Sequence, residues 1–381
     1  PVSTDPVGTD PASEPAVSRA HLPEGDDGSA GTAVIVGSGL IGASLGLALS
    51  AQGWRVHLRD VAELALSQAV SLGAGVSTPP SDVQAVSLVA ICVPPSAVAE
   101  LVVEVAREFP AAIITDVASV KAPIVAAVKQ AGGVERFVPG HPMAGRELTG
   151  PTGARSDLFE GRPWVLIGDE ASGQAHASIK ALIQSVGAIP VTMTASGHDA
   201  AVAVVSHTPQ LIASAMAAQL GSVDDSVLDL AGQGLRDTTR IAASDPHLWG
   251  QIVGANGSAV AAVLDGVIAD LQSVRSALGS QTAAVTVESL VQRGREGQAS
   301  IPGKHGGQAA RYSAVAVVIP DRAGSLAALF NAVGELRVNI EDLTLEHSPG
   351  QPVGLATLFV SPPDADALSK GLEQAGWIVH R

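Results

Sequence analysis

Along the first half of the chain the apolar positions fall into short, almost unbroken blocks. "TAVIVG" begins at Thr32, "WRVHLRD" at Trp54, "AVSLVAICVPP" at Ala85 and "AAIITDVAS" at Ala111. Blocks of that length, rich in Val and Ile, predict strands buried on both faces. Between them lie stretches with helical spacing, such as "LIGASLGLALSAQG", stopped by Gly53. Strands alternating with helices predict a parallel sheet with right-handed crossovers. "PWVLIGD" from Pro163 and "GAIPVTMTA" from Gly187 add two later strands, and the sheet domain closes near residue 192.

From about residue 197 to 293 the strand blocks fade and apolar residues recur at helical spacing. One helix start is marked by Asp245 as N-cap and Pro246 in the first turn. Residues 295–310, "REGQASIPGKHGGQAA", read as a linker, beyond which the chain returns to strand, turn, helix and strand, with more strand at "GLATLFV". The predicted division has four structured or tail segments besides that linker. A Pro-, Ser- and acid-rich tail at 1–30 reads as disordered, 31–192 as a parallel α/β domain, 193–294 as all-helical, and 311–381 as a small α+β domain.

Composition narrows the partners. The net charge of −15 argues against nucleic acid, which needs a basic surface. Cys92 is the only cysteine, so no intrachain disulfide can form and a reducing compartment is expected. The N-terminus shows no basic segment followed by an apolar core, hence no signal peptide is expected. Residues 200–223 carry no charged side chain, but Ser206, His207, Thr208, Pro209 and Gln210 put a polar knot inside the run. That knot fits a helix buried at a subunit interface better than a membrane span. The expectation is a soluble, cytoplasmic homodimer paired through Ala-rich helices.

"VIVGSGLIGASLG" holds a complete G-x-G-x-x-G at Gly37, Gly39 and Gly42, following a strand and opening a helix. In that context Gly37 makes the tight turn, Gly39 admits a pyrophosphate, and Gly42 lets helix and strand approach. The phosphates would sit on the positive end of the helix. Asp60 closes the second strand, where a carboxylate binds a ribose 2′-hydroxyl and repels a 2′-phosphate; NAD is therefore the expected cofactor. Arg59 could reach a 2′-phosphate, but it is expected to point out of the strand end into solvent. Ser38, Leu40 and Ile41, with Val93 and Pro94 after the third strand, complete the expected cofactor surface.

Three polar clusters are candidates for chemistry: "TDVASVK" with Ser119 and Lys121, "GHPMAGRE" with His141 and Glu147, and "SHTPQ" together with "GLRDTTRIAASDPHLW". On one continuous helix Asp237, Arg240 and Ser244 would share a face. Each cluster alone is equally a set of solvated or packed polar residues.

Taken in order, "GSGLIG", "ICVPP", "TDVASVK", "GHPMAGRE", "SHTPQ" and "LRDTTR…SDPHLW" resemble the prephenate/arogenate dehydrogenases of tyrosine biosynthesis over about residues 32–290. Residues 312–381 are similar to an ACT domain, a small ligand-binding module, with Gly324 at the first strand–helix turn and the pair Asn339 and Ile340. The resemblance implies a Rossmann-type sheet, a helical dimerisation domain and oxidative decarboxylation of prephenate or arogenate with NAD. It assigns His141 as the group that polarises the substrate hydroxyl, with Ser119 sharing that hydroxyl. Arg240 would grip a substrate carboxylate, supported or gated by Asp237, while Glu147 falls at an active-site acid. His207 lines the site or is a packed helix histidine; Ser244 and Trp249 complete the substrate side, Trp249 from a neighbouring subunit or as a core aromatic.

One position departs from part of the family: Gln210 stands where some members have a second histidine. A neutral amide offers no charge to a side-chain carboxylate, which weakens the case for prephenate; prephenate still leads arogenate narrowly, as the commoner activity the resemblance implies. The ACT-like segment implies tyrosine or another aromatic amino acid as an effector. Two rivals are a β-hydroxyacid dehydrogenase and a non-catalytic NAD sensor. The first usually needs a lysine in the helical domain, and residues 200–260 contain none.

Overall fold

The computed structural model describes residues 30–145, 150–168, 173–301, 312–347 and 352–380. The expected disordered tail, up to residue 29, and Glu147 lie outside the described residues.

The chain opens as β1 (Thr32–Val36), α1 (Leu40–Ala51), β2 (Arg55–Arg59), α2 (Glu63–Ser71), β3 (Val86–Ile91), α3 (Pro95–Glu108), β4 (Ile113–Asp116), α4 (Ala122–Gln130) and β5 (Phe137–Pro142). It continues with β6 (Pro163–Ile167), α5 (Gly173–Ser185) and β7 (Ile189–Met193). These strands form one seven-stranded sheet in the order β2-β1-β3-β4-β5-β6-β7. Alternate residues of each strand feed opposite faces. Ala33 and Ile35 of β1 join one apolar cluster with Leu88 and Ala90 of β3. Val34, Val89 and Ile91 join the other, with Val98 and Val102 of α3. Both faces are thus covered, which explains the unbroken apolar blocks.

The sheet is mostly parallel as expected, with one exception. Strands β5 and β6 pair antiparallel, with Gly140 opposite Leu166 and Pro142 opposite Trp164. A parallel return needs a crossover, usually a helix, and between these strands the described residues hold only a 3₁₀ turn at Pro151–Gly153. The chain therefore folds back beside β5, and β7 then pairs parallel to β6.

The following helices are α6 (Ala195–Val202), α7 (Thr208–Gln219), α8 (Asp225–Leu228), α9 (Gln233–Thr239), α10 (Pro246–Ala255), α11 (Gly257–Ala277) and α12 (Ala283–Ala299). Asp245 caps α10 as expected, accepting the His247 and Leu248 amides. Between α6 and α7 a π-helical stretch spans Ala203–His207. Pro209 lacks the N–H that would reach back to Val205 and its ring crowds that carbonyl, so the helix widens there. The consequence is functional, since His207 ends the widened segment.

Three further differences concern the helical part. α12 runs to Ala299, so the first residues of the expected 295–310 linker are helix. The face expected to carry Asp237, Arg240 and Ser244 is broken: α9 stops at Thr239 and Arg240–Ala243 form a 3₁₀ turn. The tighter winding of a 3₁₀ turn rotates later residues off the α-helical face. The structure also groups these helices along other lines than the expected 193–294 segment. The chain divides into one unit of residues up to 215 with 241–264, and another of 216–240 with 265–381. The helices following the sheet join the first unit because they pack on it; Ile252 of α10 lies in the same apolar cluster as α3, and Ser96 donates to Gln251 at 3.0 Å.

The second unit ends in β8 (Ser313–Pro320), α13 (Ser325–Glu335), β9 (Asp342–His347), β10 (Val353–Val360), α14 (Pro362–Gln374) and β11 (Ile378–His380). Its four strands are ordered β11-β8-β10-β9 with every neighbour antiparallel. Val315, Val317 and Ile319 of β8 alternate inward against Leu329 of α13 and Leu368 of α14. Gly324 caps α13 at φ +87°, a conformation that excludes most other residues.

Two helical runs, Ala195–Ser222 and Gly257–Ala277, are long and apolar enough to cross a membrane by length and composition. The first holds buried His198, Asp199 and His207, with Asp199 accepting the Lys121 amide and His198 bonded to His141 of β5, which fits a protein interior.

Candidate active site

The glycine loop follows β1, and Val93 and Pro94 follow β3, its neighbour on the side away from β2. Strand order therefore reverses here, and the crevice outside the carboxyl ends of β1 and β3 is where doubly wound sheets bind ligands. A Cβ on Gly37 would overlap the Cys92 carbonyl, and one on Gly42 would overlap the Gly37 carbonyl. Gly39 faces open space, with nothing within 4 Å of a Cβ placed there. Two glycines thus close the turn while the third leaves room for a pyrophosphate above the partly exposed first turn of α1, Leu40 and Ile41.

Asp60 sits against this loop, accepting from the Ser38 amide at 2.6 Å and the Ser38 hydroxyl at 2.8 Å. Burial opposes its charge, but these bonds and the Ala62 amide outweigh it and hold the carboxyl below its ordinary range. An ionised acceptor at the end of β2 fits a ribose diol. Arg59 does not point into solvent as expected. Its guanidinium makes a two-pronged ion pair with Glu108 at 2.6 and 2.7 Å and lies 5.0 Å over the Phe109 ring. That engagement draws it away from a 2′-phosphate, consistent with NAD.

The chemistry-bearing side chains gather two strands further along. His141 lies near the end of β5, and Ser119 is partly exposed in the turn after β4, the neighbouring strand. No hydrogen bond joins Ser119 to His141 among the described residues. The His141 ring is held instead by His198 of α6, Nδ1 to Nε2 at 2.8 Å, with the rings edge to face. His198 Nδ1 is 2.7 Å from Asp199 Oδ1, and Asp199 in turn accepts the Lys121 and Ala122 amides at 2.8 Å each. Asp199 thereby caps the N-terminus of α4 from another helix. Burial works against its charge, yet the bonds to His198 and to both amides hold its carboxyl below the ordinary range.

Beneath His141 lies a fully buried ion pair. Lys121 Nζ donates to Asp116 and to the Gly140 carbonyl, the latter at 2.7 Å, and neither side chain reaches solvent. Asp116 also accepts the Ala118 and Gly140 amides. Burial drives the His141 imidazolium well below its ordinary pKa, and His198, Lys121 and His207 add to the effect. His141 is therefore neutral near pH 7 and can accept a proton.

On the facing helices, His207 is buried beside the Trp249 ring at 6.0 Å, and its pKa is pushed down to about 4, chiefly by burial. Asn256 bridges it to the chain: the amide nitrogen lies 3.2 Å from His207 Nδ1 and 2.7 Å from the Asp199 carbonyl. Trp249 is partly buried and packs against its own chain's core cluster. Gln210 is buried, its Nε2 donating to the Ile241 carbonyl at 2.9 Å while Ser244 Oγ stands 3.5 Å from its oxygen. Asp237, paired with Gln233 at 2.7 Å, and the exposed Arg240 belong to the second unit.

Sequence reasoning missed His198, Asp199, Asn256 and the role of Asp116. The available signal was their polarity: "HD" opens an otherwise apolar run, and Asn256 interrupts "IVGANGSAV".

The nucleotide-binding domain of prephenate dehydrogenase matches residues 45–192, and its dimerization domain matches residues 194–292. "Probable prephenate dehydrogenase NovF" of Streptomyces niveus is 34% identical over 360 residues, covering 91% of this chain and 98% of that one. Prephenate dehydrogenase of Aquifex aeolicus, solved with hydroxyphenyl propionate and NAD+, has a TM-score of 0.60 at 25% identity over 70% of this chain and 97% of its own. Synechocystis arogenate dehydrogenase has a TM-score of 0.57 at 27% identity, over 70% of this chain and 99% of its own. The chain belongs to the prephenate dehydrogenase family.

Proposed function

We propose that this chain oxidises prephenate with NAD and releases the ring carboxylate as carbon dioxide, giving 4-hydroxyphenylpyruvate. The observation that carries the reading is the place of His141 at the carboxyl end of β5, two strands from a glycine-loop crevice fitted to NAD, where burial lowers the pKa of its imidazole. NAD, when bound, accepts the hydride that leaves C4 of the substrate. His141 takes a hydrogen bond from the C4 hydroxyl and then its proton, so that the carbonyl develops as the hydride departs. Loss of carbon dioxide aromatises the ring and drives the reaction, leaving the protein chiefly to position the substrate. Ser119 orients the hydroxyl, Arg240 grips a carboxylate through its planar fork, held or gated by Asp237, and Glu147 serves as an active-site acid.

Gln210 supports a second reading, arogenate. Its amide N–H is committed to the Ile241 carbonyl, so the position contributes no cation for the side-chain carboxylate of prephenate. Initial rates of NADH formation with prephenate and arogenate, each with NAD and NADP, test both. Turnover of prephenate with NAD is expected; turnover of arogenate alone would install the second reading, and turnover of neither would remove both.

We also propose that the C-terminal four-stranded unit is an ACT-like module binding an aromatic amino acid, on the basis of its β-α-β-β-α-β order and the Gly324 turn. Tyrosine added to the same assay is expected to lower the rate; no effect at millimolar tyrosine would leave the module a structural one. Apolar side chains exposed on α11 and α12, among them Leu271 at 59% and Val285 at 68%, support a homodimer, for which the cytoplasm is the proposed compartment. Sedimentation is expected to give twice the 38.2 kDa chain mass; a monomer would refute the pairing.

A further inference from the structure

Asp199 carries two hydrogen-bond chains, one from its carboxylate and one from its main-chain carbonyl. The carboxylate accepts two backbone amides, donors that cannot reverse, and it is an ionised acceptor. His198 Nδ1, at 2.7 Å, must then carry the proton. With its single proton at Nδ1, His198 has a bare Nε2, and His141 Nδ1 at 2.8 Å donates to it. That leaves His141 with a lone pair at Nε2. The second chain runs the other way. The Asp199 carbonyl is acceptor-only, which fixes the Asn256 amide with its nitrogen toward it at 2.7 Å. The remaining Asn256 hydrogen points to His207 Nδ1 at 3.2 Å, so His207 carries its own proton on Nε2.

We infer that Asp199, acting through His198 and Asn256, sets the two active-site histidines in opposite senses, His141 as acceptor and His207 as donor. The inference rests on the proposed dehydrogenase reading for its consequence: only an acceptor at Nε2 can take the substrate's hydroxyl proton. In that step the O–H bond breaks, an Nε2–H bond forms, and the O–H electron pair becomes the new C=O bond as hydride leaves carbon. The imidazolium so formed donates from Nδ1 to His198 Nε2, and the proton on His198 Nδ1 is in turn donated to the Asp199 carboxylate. His198 and Asp199 are positioning residues, since neither is assigned a contact with substrate.

Histidine-labelled protein examined by ¹H–¹⁵N correlation at neutral pH tests the assignment without turnover. His141 protonated at Nδ1 and His207 protonated at Nε2 are the expected result; either ring in the opposite tautomer overturns the inference. In kinetics, His198→Leu is expected to lower kcat about a hundredfold while KM stays within about threefold, the pattern of a lost tautomer preference. His198→Gln, whose amide oxygen can still accept from His141, is expected to recover about tenfold of that loss. Turnover of the Leu variant within twofold of native would overturn the kinetic role. If native protein turns over no substrate, the dehydrogenase reading fails while the tautomers still decide the hydrogen-bond assignment.

Discussion

His141→Asn is expected to lower turnover by about two to four orders of magnitude, the usual worth of a group that moves a proton in the transition state. Asparagine is the discriminating replacement. Its amide can occupy the place of Nδ1 and keep a donor toward His198, while nothing remains at the position of Nε2. The sheet, the Asp116–Lys121 pair and the glycine loop should be unaffected, so NAD binding and substrate KM should stay near native. The pH profile sharpens the test. A base must be neutral to act, so kcat/KM falls as pH drops through its pKa. Burial and the neighbouring Lys121 put that value well below 6.5 for His141. The native enzyme should therefore hold its rate from pH 7 down past 6.5, and the acid limb should vanish in the variant. Near-native turnover by His141→Asn would remove His141 from the proton transfer.

The sequence made the scaffold legible wherever one local rule decides the outcome. Strands buried on both faces need apolar side chains at every position, and Val34, Val89 and Ile91 wrote that requirement into the chain. The Gly37–Gly42 turn was legible because backbone overlap forbids other residues there. The reversed direction of β6 was not, since strand direction depends on what connects two strands rather than on either strand's residues. Arg59 shows a second limit. Its partner Glu108 is 49 positions away, and only the packing of α3 brings that carboxylate within reach. Of the site, His141 stood out through the motif around it, whereas His198 looked like one more helix histidine. Its importance arises from being next to Asp199 and across from β5, and that relation exists only in three dimensions. The helical face drawn through Asp237, Arg240 and Ser244 failed for a related reason, because periodicity alone does not register a change from α to 3₁₀ winding.

Lys121→Met is expected to cost about 3–5 kcal/mol of folding stability, the penalty for stranding one charge of a buried pair. Lys121 is fully buried and so is Asp116, and burial raises the Asp116 pKa while lowering that of Lys121; each charge depends on the other. Methionine fills most of the lysine volume, so the loss would be electrostatic rather than a cavity. Removing the ammonium would leave Asp116 with only the Ala118 and Gly140 amides, and would also free the Gly140 carbonyl. A folded protein survives this by protonating Asp116. Urea unfolding of Lys121→Met, Asp116→Asn and the double variant, followed by tryptophan fluorescence, separates the contributions. The side-chain amide introduced by Asp116→Asn could still accept from the Ala118 N–H and carries no charge, so the double variant should be more stable than Lys121→Met alone. Costs that simply add would mean the two side chains are energetically independent. The consequence reaches the site, because Gly140 immediately precedes His141 and the Lys121 amide holds Asp199. A molecule that pays for a dry ion pair at this point secures β4, β5, α4 and α6 around one imidazole, and a loosened pair should degrade turnover in the folded variant before it unfolds the protein.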